Sequence, residues 1–216
     1  MLFNDRQEAG QRLAEKLKFL KGKDVIVLAV PRGGVVVAAE VARALGVPLD
    51  VYITRKIGAP YNEELAIGAV APDGSTVLDQ GLIGSLGVSS QYIEKETARQ
   101  KAEIERRLKK YRGDAPPPKL DGRHVVLVDD GVATGATTLA ALRALHQQKP
   151  QKLILAVPVG PPDSIQMLSA AADQVICLAT PEPFWAVGRF FVDWSQTSDE
   201  EVIALLRQGQ AWDKGT

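Results

Sequence analysis

Residues 125–138 read VVLVDDGVATGATT: four apolar residues, two adjacent carboxylates, then a run of glycine, alanine and threonine. Three of the four apolar residues are β-branched and the run is too short for an ordinary helix, which predicts a strand buried on both faces. In an open parallel sheet, ligands bind beyond the carboxyl ends of the strands, where the strand order reverses. A strand that ends in Asp129 and Asp130, followed by a loop too small and polar to pack, suits such a place. Gly131 and Gly135 let the backbone approach a ligand closely, and the first amides of a helix starting near Gly135 are unpaired donors for an anion. Thr134, Thr137 and Thr138 add hydroxyls beside them. No lysine follows Gly135, so the loop is not a Walker phosphate loop, and a G-x-G-x-x-G fingerprint is absent.

Working outward, DVIVLAV (24–30), LDVYITR (49–55), HVVLVDD (124–130), KLILAVPV (152–159) and QVICLA (174–179) repeat the buried-strand pattern. Helical patterns separate them at 35–46, closed by Gly46, and near 136–147 and 163–172. Strand, helix, strand in this rhythm predicts a parallel sheet with right-handed crossovers, an α/β doubly wound core. An opening helix is capped by Asn4 or Asp5, carries Ala9, Leu13, Leu17 and Leu20 on one face, and closes at Lys21-Gly22. Residues 64–79 read as a hairpin around Pro72-Asp73-Gly74. A charged helix at 89–112 follows, capped by Ser89 or Ser90, with Ile93, Thr97, Ile104, Leu108 and Tyr111 on one face. The three prolines of GDAPPPK (113–119) make a stiff connector. The expected organisation is one domain: a core of about 22–60 and 121–180, an inserted hairpin and long helix at about 61–120, and a small C-terminal hood at about 181–216.

The 26 basic and 26 acidic residues balance, which speaks against a broad electrostatic footprint for nucleic acid or an anionic membrane. Residues 91–112 alone are basic, with eight Lys and Arg against four Glu. Cys177 is the single cysteine and sits in an apolar run, so it reads as a small buried hydrophobe; His124 and His146 lack a second ligand at useful spacing and read as structural. The N-terminus has no apolar leader core and no stretch reaches the length of a membrane span, giving the expectation of a cytoplasmic protein.

The acid pair cannot share a subsite with a phosphate, since like charges repel. It suits a sugar with two neighbouring hydroxyls whose phosphate is held by the loop. Two more predicted strand ends, Pro31-Arg32-Gly33-Gly34 and Arg55-Lys56-Ile57-Gly58-Ala59-Pro60, bring cations and glycine to the same rim, as a pyrophosphate requires.

These motifs resemble those of the type I phosphoribosyltransferases. In that family a buried strand, two acids and a small-residue loop ending in Thr-Gly-x-Thr bind 5-phosphoribosyl-1-pyrophosphate (PRPP), and VVLVDDGVATGATT matches throughout. The resemblance implies Mg2+-dependent transfer of phosphoribosyl from PRPP to a nitrogenous base, with pyrophosphate released, as in nucleotide salvage. It implies Asp129 and Asp130 on the ribose hydroxyls, directly or through the metal's waters, with Arg55 and Lys56 also catalytic. The 5′-phosphate falls to Gly131, Val132, Ala133, Thr134, Gly135, Ala136, Thr137 and Thr138, and the pyrophosphate to Arg32, Gly33, Gly34, Arg55 and Lys56. Family members are commonly homodimers.

The segment PEPFWAVGRFFVDWSQ (181–196) resembles the base-stacking stretch of 6-oxopurine members. That mapping assigns Trp185 to stack on the base, the Val187 backbone to its edge and Asp193 to the metal; the competing reading makes these aromatics core. The Gly188–Asp193 spacing is one residue longer than in those members, and Ala133 stands where they carry an acid, so the base stays open between purine and other acceptors. Arg99 or Lys101 is the candidate for a lid over the site. The opening FNDRQEAGQRLAEKL and the ending SDEEVIALL also resemble a group of phosphoribosyltransferase-like proteins. A PRPP-sensing regulator that binds nucleic acid with little catalysis is the alternative from another class.

Overall fold

The computed structural model describes residues 1–212. After α1 (Arg6–Leu17) and a 3-10 turn (Lys18–Leu20) come β1 (Val25–Ala29), α2 (Gly33–Leu45) and β2 (Leu49–Val51). Then follow β3 (Arg55–Ala59), β4 (Asn62–Val70), β5 (Thr76–Leu78), α3 (Gln80–Leu86) and α4 (Ser90–Arg112). The second half runs β6 (His124–Val128), α5 (Ala136–Gln147), β7 (Lys152–Val159), α6 (Pro162–Ser169), β8 (Gln174–Ala179), a 3-10 turn (Val187–Phe190) and α7 (Asp199–Gln210).

Five parallel strands in the order β2-β1-β6-β7-β8 form the main sheet. Their side chains alternate between two cores. Val25, Val27, Ala29, Val126, Val128, Ile154 and Ala156 face α1, α2 and α7, whereas Ile26, Leu28, Val125, Leu127, Leu153 and Leu155 face Leu142 and Leu145 of α5 and Leu168 of α6. Both faces are covered, which is why these strands read as continuous apolar runs. The expected α/β class therefore holds, and the hairpin and long helix appear where expected. Asp5 caps α1, its side chain accepting from the Glu8 amide, and Ser89 caps α4, accepting from Tyr92 N. Gly46 ends α2 in the left-handed region at φ 71°.

One strand is corrected. LDVYITR is not a single strand: it leaves the main sheet at Val51, and Arg55–Ala59 opens a separate antiparallel sheet of order β3-β4-β5. Ala59 pairs with Asn62 across Pro60-Tyr61, and Tyr61 holds the left-handed φ of 66° usually marked by Gly or Asn. The hairpin signal was hidden behind an aromatic residue.

Helix α1 lies so close to α2 that a Cβ on Gly10 would stand 2.7 Å from the Val37 carbonyl oxygen and 2.8 Å from Glu40 Cβ. Gly10→Ala gains up to about 1 kcal/mol of helix propensity. The opposing overpacking term is about 1–3 kcal/mol, and backbone cannot swing aside. The expected net result is a melting temperature lower by about 2–6 °C, read by calorimetry.

Candidate active site

Ala29 is level with both Val51 and Val128, so the chain leaves β1, β2 and β6 along one rim. Strand β1 is followed in sequence by β2 on one side, while β6 lies on its other side, so the switch in strand order falls between β1 and β6. PRGG follows the first of these strands and the acid pair follows the second.

There the two turns touch. A Cβ on Gly33 would lie 1.8 Å from Asp130 Oδ2, and one on Gly34 would lie 3.0 Å from Asp129 Cα, so glycine is what lets the PRGG turn close on the acids. The Pro31–Arg32 peptide, a place where sequence is silent, is cis. Asp129 Oδ1 accepts from the Asp130 amide at 2.8 Å. Burial, and after it the neighbouring Asp130 carboxylate, raises the Asp129 carboxyl well above the ordinary range. Asp130 Oδ2 accepts from Arg6 Nε at 2.7 Å. A cavity of about 580 Å³ opens over these groups, lined by Arg32, Gly33, Asp129, Asp130 and Thr137 together with Arg6, Trp194, Gln196 and Thr197.

The loop 131–135 is tied down from below: Val132 N donates to Val159 O at 2.9 Å and Ser164 Oγ donates to Ala133 O at 2.7 Å. Gly131 meets Val187, whose Cγ1 would stand 2.3 Å from an added Cβ. Gly135 caps α5 at φ 76°, leaving the first amides of the helix, at Ala136, Thr137 and Thr138, without intrahelical acceptors. Ala133, Thr134, Ala136 and Thr137 are exposed, whereas Thr138 is buried.

Arg55 and Lys56 depart from expectation. They do not sit in a turn beside Asp129; as the first residues of β3 they line an adjacent cavity of about 270 Å³, roofed by Tyr92, Arg99 and Gln100 of α4. Val30, Pro31 and Thr137 border both cavities, so the two are neighbours. Arg55 Nε donates to Gln100 Oε1 at 2.9 Å. Burial opposes ionisation of Glu96 in the same wall, but hydrogen bonds from Arg99 and Gln100 hold its carboxyl below the usual range. Of the two lid candidates, Arg99 borders this cavity, while Lys101 lies near the β4–β5 turn, its Nζ 3.6 Å from an ideal Cβ on Gly74.

The C-terminal segment is not a free hood. Leu2 N donates to Phe190 O, Val192 N to Phe3 O and Asp193 N to Asn4 O, stitching it to the N-terminus around a Phe3–Phe191–Trp194 cluster. Trp185 is 79% exposed, which overturns the reading of it as core, and it stands apart from the residues lining the acid-pair cavity. Trp194 borders that cavity instead. Asp193 accepts from Ser195 N at 2.8 Å and is not among the lining residues. Trp185→Ala should leave the melting temperature within about 2 °C of the parent, as for exposed sites generally, in a thermal melt.

Cys177 is half-buried rather than buried, and burial pushes its thiol up, away from nucleophilic use. Among the described residues His124 Nδ1 is buried without a hydrogen-bond partner. No group of three or more His, Cys, Asp or Glu among them could hold a metal, and no helix is long and apolar enough to cross a membrane. Sequence reasoning missed Arg6, Trp194 and the wall they form. Nothing in their spacing marks them, although the small pair Ala9-Gly10 on the buried face of α1 announces a close helix contact.

A fold with the acid pair at the switch point, the glycine turn against it and a threonine turn beyond is that of a phosphoribosyl transferase domain, and a family model of that description matches residues 4–191. The chain belongs to this family. It is 44% identical over 205 residues, 95% of its length, to the Mycobacterium tuberculosis protein named "Putative phosphoribosyl transferase Rv0571c". The chain spans only 46% of that relative's length. Among solved structures it is similar to the protein TT1426 from Thermus thermophilus, with 45% identity, a TM-score of 0.87, and coverage of 96% of this chain and 99% of that one.

Proposed function

We propose that this domain binds PRPP at the β1/β6 switch point and transfers its phosphoribosyl group to a nitrogenous base. The observation that carries the reading is the meeting, in one cavity, of an acid pair, a glycine turn and a threonine-bearing helix start. In the reaction the base nitrogen forms a bond to the anomeric carbon as the bond to the pyrophosphate oxygen breaks, and the nitrogen's proton leaves to solvent. Positive charge develops on the ribose ring, so electrostatics and positioning do most of the work.

Each part of the site has a role suited to its chemistry. The carboxylates of Asp129 and Asp130 accept from the ribose hydroxyls and stabilise the developing ring charge. Backbone amides of the loop from Gly131 through Ala133 to Ala136, with the hydroxyls of Thr134 and Thr137, hold the 5′-phosphate. Arg32, Gly33 and Gly34 take the pyrophosphate, and Arg55 and Lys56 reach it from the adjoining cavity. The acid pair offers hard oxygens suited to Mg2+ but too few for a closed shell, so Asp129 and Asp130 would hold the ion only with substrate oxygens and water completing its donors. A bound Mg2+ there would supply charge neutralisation for the leaving pyrophosphate.

The acceptor would lie in the same cavity, near Trp194, Gln196 and Thr197, which line it together with the acids. The test is pyrophosphate release from PRPP and Mg2+ with a panel of purine and pyrimidine bases. Release with one acceptor is expected. Protein that neither binds PRPP nor releases pyrophosphate with any base overturns the reading.

A further inference from the structure

Arg6 is the first residue of α1, far in sequence from the acid pair it meets. Its Nε donates to Asp130 Oδ2 at 2.7 Å and its Nη1 to the Ser195 carbonyl at 2.8 Å, while its guanidinium carbon lies 3.7 Å from the centre of the Trp194 ring. The side chain is only 11% exposed and that of Asp130 17%. Exposed ion pairs contribute little, largely because two free side chains must be ordered to make them. Here the guanidinium is held by two further contacts, the Ser195 carbonyl and the Trp194 ring, besides the carboxylate, and its planar, stacked form suits that use better than a lysine would.

The other side of the carboxylate is equally confined, since Asp130 Oδ2 sits where a Cβ of Gly33 would be, at 1.8 Å. Asp130 is thus pinned between the glycine turn and Arg6. The helix that delivers Arg6 is itself fixed: Asp5 caps its first turn by accepting from the Glu8 amide at 2.8 Å, and Gly10 lets it close on α2. In the run Asp5-Arg6-Gln7-Glu8-Ala9-Gly10 the cap, the arm and the contact follow one another within two helical turns.

We infer that Arg6 is a positioning residue for the sugar subsite: it orients the Asp130 carboxylate toward the ribose hydroxyls, and Trp194 in turn orients Arg6. This rests on the PRPP reading above and adds to it a residue that the acid-pair and loop motifs do not contain. Loss of Arg6 leaves two adjacent carboxylates with no fixed cation beside them, so Asp130 turns away from the sugar.

A double-mutant cycle read by calorimetric titration of PRPP with Mg2+ tests this. Arg6→Gln and Asp130→Asn are each expected to weaken PRPP about tenfold or more. The double variant is expected to bind no more than about threefold worse than the weaker single, because both remove the same oriented carboxylate. Should Arg6→Gln fail to fold, Arg6→Lys, which keeps the charge but not the flat stacking, carries the same cycle. Losses that multiply in the double variant, or an Arg6→Gln protein that melts lower yet binds PRPP as the parent does, overturn the positioning role and leave the proposed function standing. A parent protein that binds no PRPP overturns both.

Discussion

Gly33→Ala is expected to weaken PRPP binding by about 30- to 150-fold, the worth of a charge-assisted hydrogen bond of about 2–3 kcal/mol, while the fold survives. The added methyl would fall 1.8 Å from Asp130 Oδ2 and 2.6 Å from Arg6 Nε. Neither atom belongs to the backbone, so the side chains move and the sheet does not. The cost therefore appears in the site: the carboxylate swings off the turn, and the Arg6 contact that holds it breaks. Gly84→Ala is the matched control, since nothing lies within 4 Å of its added carbon and no positive φ strains it. Calorimetric titration of both variants, with melting curves alongside, reads the contrast. Equal PRPP affinity in Gly33→Ala and parent would mean that Asp130 does not serve the ribose.

Much of this architecture was legible because the main strands are buried on both faces and bounded by clear punctuation. VVLVDD and PRGG mark their strand ends by chemistry that a packed loop would not choose. What stayed hidden is non-local. That β6 inserts beside β1 rather than beside β2 depends on long-range pairing such as Val27 with Val126, which no window of residues contains. RKIGA looked like a turn because its partner strand follows a Pro60-Tyr61 corner that carries none of the usual glycine or asparagine. Once paired, Arg55 and Lys56 line a cavity next to the acid pair's rather than that cavity itself, and Lys56 also borders the space beside Thr134 and Ala136.

The aromatic-rich C-terminal stretch failed for a related reason. Seen alone, Phe184, Trp185, Phe190, Phe191 and Trp194 offer several ways to divide core from ligand contact. The division is made by the N-terminal strand-like segment: Phe3 bridges to Phe191 and pulls that ring to 2% exposure, which turns Trp194 toward Arg6 and leaves Trp185 in solvent. A residue from one end of the chain thus helps decide which aromatic at the other end lines the acid-pair cavity.

Asp130→Asn is expected to lower kcat for pyrophosphate release about a hundredfold, a loss of the size seen when one preorganised electrostatic partner of a transition state is removed. The amide keeps an oxygen for Arg6 Nε, so the contact at 2.7 Å persists in neutral form and the melting temperature should stay within a few degrees. On the proposed PRPP reading, the change falls instead on the charge that faces the ribose ring as it turns cationic. Asp129→Asn differs in kind. Its carboxylate is buried and accepts the Asp130 amide at 2.8 Å, and its ionisation is opposed by burial and by Asp130. Replacing it removes an unfavourable buried charge while keeping the acceptor, so stability should hold or rise even as activity falls. Steady-state kinetics and melting curves on the two variants separate these effects. A kcat for Asp130→Asn within twofold of the parent would place the ring-stabilising charge elsewhere, whereas a collapse of its melting temperature would make Asp130 a structural counter-ion to Arg6.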